Sequence, residues 1–336
     1  MQNTEKTNIL YKNLCEHPAV TYWQKLRFNC RKPEKITILE ETRKSSVYQL
    51  YGVGKEGSDV VAKRCRRNAA LVENSVYIDI LPYLPTPSLR YYGFVEEPDD
   101  KYYWLFIEKA IGDRYLPNLL EHRIAVSNWL GLFHIYSAQL PVSHRLPEHG
   151  TNYYLKKLDE ICERIKQNFP KTVLNNKDKK ILKKIVLHCE YLKSCWNEIE
   201  SLCLQMPRTV SHGDFVAKNM RLHHNQQGIT VYVFDWETTG WGSPAIDLAQ
   251  IPQAFTRFSA KVHIDTYTAI IRRHWINLKL DTLSRIVHLG TLFRLLMCIE
   301  WMTLYLKYSY LERPMRKLEY YESKLDNIVK SARWKD

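Results

Sequence analysis

Short apolar runs fill the first third of the chain, and longer helical periods fill the rest. An amino-terminal stretch, residues 1–34, carries apolar positions at Leu10, Leu14, Val20, Trp23, Leu26 and Phe28 and reads as a partly amphipathic helical extension. Ile36-Thr-Ile-Leu39, Val47-Tyr-Gln-Leu-Tyr51 and Val60-Val-Ala62 follow, separated by polar or glycine-containing turns. Their β-branched and aromatic content predicts an antiparallel meander. Asn68 to Leu81 predicts a helix ending at Pro82, which has no N–H to continue the ladder. Leu89 to Val95 and Tyr102 to Ile107 add two strands, giving a five-stranded sheet with one helix over residues 35–110. From about residue 114 the period is helical, with one interruption: Met220-Arg-Leu and Ile229 to Phe234, joined by the polar turn His223 to Gly228, predict a hairpin. The switch in period predicts an α+β chain with a small antiparallel amino lobe and a mainly helical lobe over 111–336.

The hairpin is flanked by the residues with the most chemistry. His212-Gly213-Asp214 precedes Asn219 by an interval of five from the aspartate, and Asp235 follows sixteen residues after Asn219. An acid, an amide and a second acid in that order suit phosphoryl transfer: one carboxylate takes the proton of an acceptor hydroxyl, while an Asn carbonyl and another carboxylate offer hard oxygen ligands to Mg²⁺. Any one of them alone reads equally as a turn or cap residue. The hairpin would return Asp235 beside Asn219. Upstream, Lys63 ends the third candidate strand and Glu73 lies on the following helix, a pair suited to aiming an ammonium at the α- and β-phosphates of ATP. A basic surface run and an exposed helix glutamate are the plainer alternative for those two.

His212-Gly213-Asp214-x-x-x-x-Asn219, Asp235-Trp-Glu237 and the segment Gly240 to Leu248 together resemble the aminoglycoside phosphotransferase and choline kinase group of small-molecule kinases. The resemblance implies a two-lobed protein-kinase-like fold and phosphorylation of a small-molecule hydroxyl with ATP and Mg²⁺. It implies Asp214 as catalytic base, Asn219 and Asp235 as metal ligands, and Lys63 with Glu73 as phosphate anchor. Ser45 and Ser46, in a first turn lacking the glycines that protein kinases place there, would cradle phosphate, with Lys44 adding charge. Leu105 to Ala110, with Glu108 and Ala110, resembles the segment whose backbone holds adenine, or is a plain connecting strand. Lys218 is open to two readings, a reach to the transferred group or a solvated loop lysine. Glu237 is a candidate second acceptor around the metal. His212 is expected to shape the loop, Asp247 to brace it or cap a helix, and His134 to pack. Only twelve residues separate Asp235 from Asp247 and no Ala-Pro-Glu follows, which leaves no room for a protein-kinase activation loop.

Charge narrows the partners. Forty-nine Lys and Arg against 36 Asp and Glu give +13, yet no nucleic-acid module accompanies the basic clusters, so a solvated face is the expectation. Residues 256–336 hold 15 basic against 8 acidic side chains, a net +7, which disfavours a polycationic acceptor and leans toward an anionic or neutral one. Arg294, Trp301 and Tyr305 share roughly one face of a carboxyl-terminal helix and read as acceptor wall or as core. The absence of an amino-terminal apolar signal region, together with Arg294 and Glu300 interrupting the longest apolar helix, predicts a cytoplasmic protein without membrane contact. Eight cysteines without a Cys-x-x-Cys pair predict reduced core residues and no zinc. The rival from another class is a catalytically idle relative that sequesters a small ligand or nucleic acid.

Overall fold

A computed structural model describes residues 9–26, 31–42, 45–249, 260–276 and 278–331. Phe28, Cys30 and Lys44 lie outside the described residues. The chain falls into two compact units, one of residues 1–114 and 220–238, the other of residues 115–219 and 239–336. In chain order the first comprises β1 (Ile9–Leu10), α1 (Pro18–Lys25), β2 (Ile36–Glu41), β3 (Ser45–Leu50), β4 (Val60–Arg66), α2 (Arg67–Ser75), β5 (Tyr91–Glu96), β6 (Tyr102–Glu108) and β7 (Asp113–Arg114). The second opens with α3 (Leu120–Ser137), β8 (Glu148–His149), α4 (Thr151–Asn168), α5 (Asn176–Ser194), α6 (Trp196–Cys203) and β9 (Thr209–Ser211). The hairpin β10 (Met220–Asn225) and β11 (Gly228–Val233) belongs to the first unit, and β12 (Gly240–Gly242), α7 (Ile264–Ile271), α8 (Leu280–Thr303) and α9 (Glu312–Ser331) complete the second.

The first unit is built on an antiparallel sheet in the order β1-β2-β3-β4-β6-β5. The five expected strands form it, and Ile9–Leu10 adds a short sixth beside β2, where a helical extension was expected. Strand alternation sends Val60 and Ala62 of β4 to one face and Lys63 and Cys65 toward the other. On the first face Ala19, Val20 and Trp23 of α1 join Ile36, Leu50 and Phe106 in one core, with Trp23 edge-on to Tyr92 at 5.1 Å. On the second, Ala70 of α2 packs with Cys65, Tyr103 and Leu105. The expected helix from Asn68 to Leu81 is an α-helix only to Ser75. It continues as a π turn over Val76–Ile80 and a 3₁₀ turn over Leu81–Tyr83, which brings Pro82 into a first-turn position where its missing N–H costs nothing.

In the second unit the helices carry the core. Asn175 and Asp178 form a reciprocal capping box that starts α5. A methyl group on Gly290 of α8 would stand 1.8 Å from the Ala245 carbonyl, so α8 lies directly on the turn Pro244–Leu248. The segment Asp281–Thr303 is long and apolar enough to cross a membrane, yet 72% of its most apolar 18-residue stretch is buried inside the protein. Its two interrupting charges are internal: Arg294 and Glu300 are both buried and paired, Glu300 with Arg164. Seven described cysteines are free thiols, all buried except Cys15. Short strands β8, β12 and β9 form a three-stranded sheet in this unit, where only helices were expected, and β7 joins the hairpin as β11-β10-β7 in the other.

Candidate active site

Strand and helix bring one lysine and three carboxylates together in the first unit. Lys63, on the α2 side of β4, donates to Glu73 on α2, and its Nζ lies 2.7 Å from Asp235 Oδ1 and 3.1 Å from a Glu237 carboxylate oxygen. Lys63 and Asp235 are 172 residues apart in sequence, joined because the β10–β11 hairpin returns the chain to this unit. Burial opposes the Lys63 charge, but the three carboxylates outweigh it and raise its pKa well above the ordinary value. Burial, with Asp235 and Glu237 nearby, pushes the Glu73 carboxyl up to about 7, against the pull of Lys63. Asp235 sits at φ +71°, a left-handed backbone that costs most residues free energy and that Asp tolerates better than bulky ones.

Glu73, Asp235 and Glu237 each place a carboxylate oxygen within 4.8 Å of the other two, the one such group of potential metal ligands among the described residues. An all-oxygen donor set fits a hard divalent cation such as Mg²⁺, with Asp235 and Glu237 the better placed of the three, since Glu73 is buried against Lys63. Tyr77 is buried near this cluster, and burial together with the Glu73 carboxylate raises its pKa.

The second unit carries the loop that follows β9. Gly213 adopts φ +76°, and the His212 and Gly213 amides both donate to the Asp247 carboxylate, at 2.7 and 2.9 Å. Asp247 is oriented in turn by His134 Nε2 at 3.3 Å, and His134 Nδ1 meets the Tyr267 hydroxyl at 2.8 Å, all fully or nearly fully buried. That chain of contacts fixes the backbone just before Asp214. Asn219 Nδ2 donates to the Asp214 carbonyl at 2.9 Å and to its Oδ2 at 3.2 Å, while Lys218 Nζ stands 4.0 Å from Oδ2. Arg294 donates to Asp214 Oδ1 and, at 2.8 Å, to the Gly213 carbonyl.

The residues expected from the motifs thus gather into two sets, Lys63 with Glu73 and Asp235 in one unit, and Asp214 with Asn219 in the other. Ser45, Ser46, Glu108 and Ala110 have other surroundings. Ser45 closes its turn through Thr42, whose Oγ1 accepts from the Ser45 amide at 3.0 Å, and Ser46 is a buried ladder residue opposite Arg64. Glu108 pairs with Val60 at the end of β6 and its amide donates to Arg90, with Ala110 two residues further on. Arg294, read from the sequence as acceptor wall or core, has a partner in Asp214 that sequence reasoning missed. The available signal was a lone arginine inside the apolar stretch Leu292 to Ile299, since a buried guanidinium nearly always has a charged partner.

A profile described as the phosphotransferase enzyme family matches residues 51–269. No curated protein matches the sequence. Among solved structures, the wild-type aminoglycoside 2'-phosphotransferase-IIIa in its GDP complex is similar at TM-score 0.61 and 12% identity, over 92% of this chain and 99% of that one. A choline kinase from Cryptosporidium parvum is similar at TM-score 0.58 and 12% identity, over 88% and 90%. A spectinomycin phosphotransferase in complex with ADP and spectinomycin is similar at TM-score 0.54 and 10% identity, over 90% and 94%. At these identities the likeness shows a shared kinase-like fold.

Proposed function

Because the chain belongs to the phosphotransferase enzyme family, we propose that it moves the γ-phosphoryl group of ATP to a hydroxyl of a small molecule. The observation that carries this reading is the convergence of Lys63, Glu73 and Asp235 from distant parts of the sequence into one buried ion-pair cluster. The nucleotides held by two of the similar structures, GDP and ADP, support a nucleotide donor. In the reaction the acceptor oxygen attacks the γ-phosphorus, the bond from that phosphorus to the β–γ bridging oxygen breaks, and ADP leaves with the electron pair. Asp214 takes the hydroxyl proton on its carboxylate, with Asn219 holding that carboxylate in place. Lys63, steadied by Glu73, directs a positive charge at the donor phosphates. Mg²⁺, when bound, neutralises phosphate charge. Asp235 and Glu237 offer it carboxylate oxygens, and Asn219 offers a carboxamide oxygen of the same hard-donor class.

Two variants separate binding from chemistry. Asp235→Ala is expected to abolish the thermal stabilisation conferred by Mg-ATP. Asp214→Asn is expected to keep that stabilisation while lowering phosphoryl transfer by about 10²–10⁴, the usual worth of a general base. Stabilisation that ignores both Mg²⁺ and Asp235, with no ADP produced, would point instead to a protein that only sequesters its ligand.

A further inference from the structure

We propose that the acceptor is an anionic hydroxy compound, carrying a carboxylate or phosphate near the reacting hydroxyl, and that Arg294 is the residue that selects it. The inference rests on the phosphotransferase reading, because it takes Asp214 as the base. A hydroxyl that gives its proton to Asp214 must come within hydrogen-bond reach of that carboxylate, so the rest of the acceptor meets what surrounds it.

Those surroundings are cationic. Arg294 donates to Asp214 Oδ1, and Lys218 Nζ lies 4.0 Å from Oδ2. Among the described residues, Asp247 is the acid bonded to this loop, and both its oxygens are committed to the His212 and Gly213 amides behind Asp214. Glu300, the other acid near Arg294 on α8, is held by Arg164 and stands 3.9 Å from Lys157.

A protonated amine arriving at Asp214 would have to displace the guanidinium or sit beside it, where little water remains to screen like charges. An anion meets the opposite field. Arg294 has five N–H donors, and its bonds to Gly213 and Asp214 use two of them. The centre of the Trp301 ring lies 5.2 Å from its guanidinium carbon. A weakly hydrated, pre-oriented guanidinium suits the paired oxygens of carboxylate or phosphate. Burial works against its charge, and the Asp214 carboxylate more than restores it, so Arg294 stays protonated at any working pH.

The test offers the enzyme, with Mg-ATP, acids (glycerate, gluconate, glycerol 3-phosphate), their uncharged counterparts (glycerol, glucose) and amines (ethanolamine, choline, kanamycin), with mass spectrometry as the readout. The expected result is phosphorylation of at least one acid with kcat/KM about tenfold or more above its uncharged counterpart, the carboxylate and phosphate arms telling which anion is preferred. Arg294→Gln should lower that ratio about tenfold, mainly through KM, and Arg294→Lys should keep part of it. Preferential phosphorylation of an amine or a neutral polyol would overturn the inference and leave the kinase reading standing. ADP formation without any phosphorylated acid also counts against it. No ADP and no phosphorylated acceptor would sink both readings together.

Discussion

Glu73 is a buried acid whose protonation lies within working pH. With its carboxyl at about 7, it gains a proton as the pH falls through neutrality, and the ion pair that steadies Lys63 weakens. The KM for ATP should therefore rise on the acid side of about pH 7, and Glu73→Gln should flatten that rise. Folding stability carries the opposite sign. A carboxyl whose folded value exceeds its ordinary 4.5 contributes stability below about pH 4.5 that is lost as the pH climbs to about 7. Thermal melts of the wild type and Glu73→Gln across that window check the second half, and a pH-independent KM difference would refute the first. Lys63 was legible in the sequence because strand alternation sets its face from Val60 and Ala62 alone. The Arg294 contact was not, because its partner Asp214 lies 80 residues away and only the packing of α8 brings them together.

Among the elements, α8 does two jobs through one residue. Gly290 lets the helix lie against the Ala245 carbonyl, and the turn it touches also carries Asp247, whose carboxylate shapes the loop before Asp214. On an exposed helix Gly→Ala stabilises by about 1 kcal/mol. Here the methyl would meet backbone that cannot swing aside, so Gly290→Ala should instead destabilise by about 1–3 kcal/mol and lower turnover as well. A variant as stable as the wild type would show that the turn yields. The principal strands and long helices were legible as periods. The strands β1, β7, β8, β9 and β12 were not, since two or three residues are too few to display an alternation. The π turn after Ser75 also left no trace, for its apolar positions continue the helical pattern.

At the scale of the whole molecule, the family and the kinase-like fold were legible because the loop at Asp214 and the acid at Asp235 are local motifs with fixed spacing. The pairing of residues across long stretches of sequence was not, and one topological detail shows why it matters. The chain leaves its first unit at Arg114 and re-enters it from Met220 to Thr238, carrying Asp235 and Glu237 to a cluster whose other members lie before residue 75. The unit that holds Lys63 is therefore discontinuous as a stretch of gene. A recombination event with a single junction at 114 would transplant Lys63 and Glu73 while leaving their carboxylate partners behind. A chimera with the first 114 residues of another family member should lose most of its stabilisation by Mg-ATP, and one that also exchanges 220–238 should recover it. Equal stabilisation of the two chimeras would show that the cluster tolerates mixed parentage. If the expectation holds, diversification in this architecture has to keep two separated segments in step, so acceptor specificity can be shuffled by single crossovers more freely than the Lys63 cluster can.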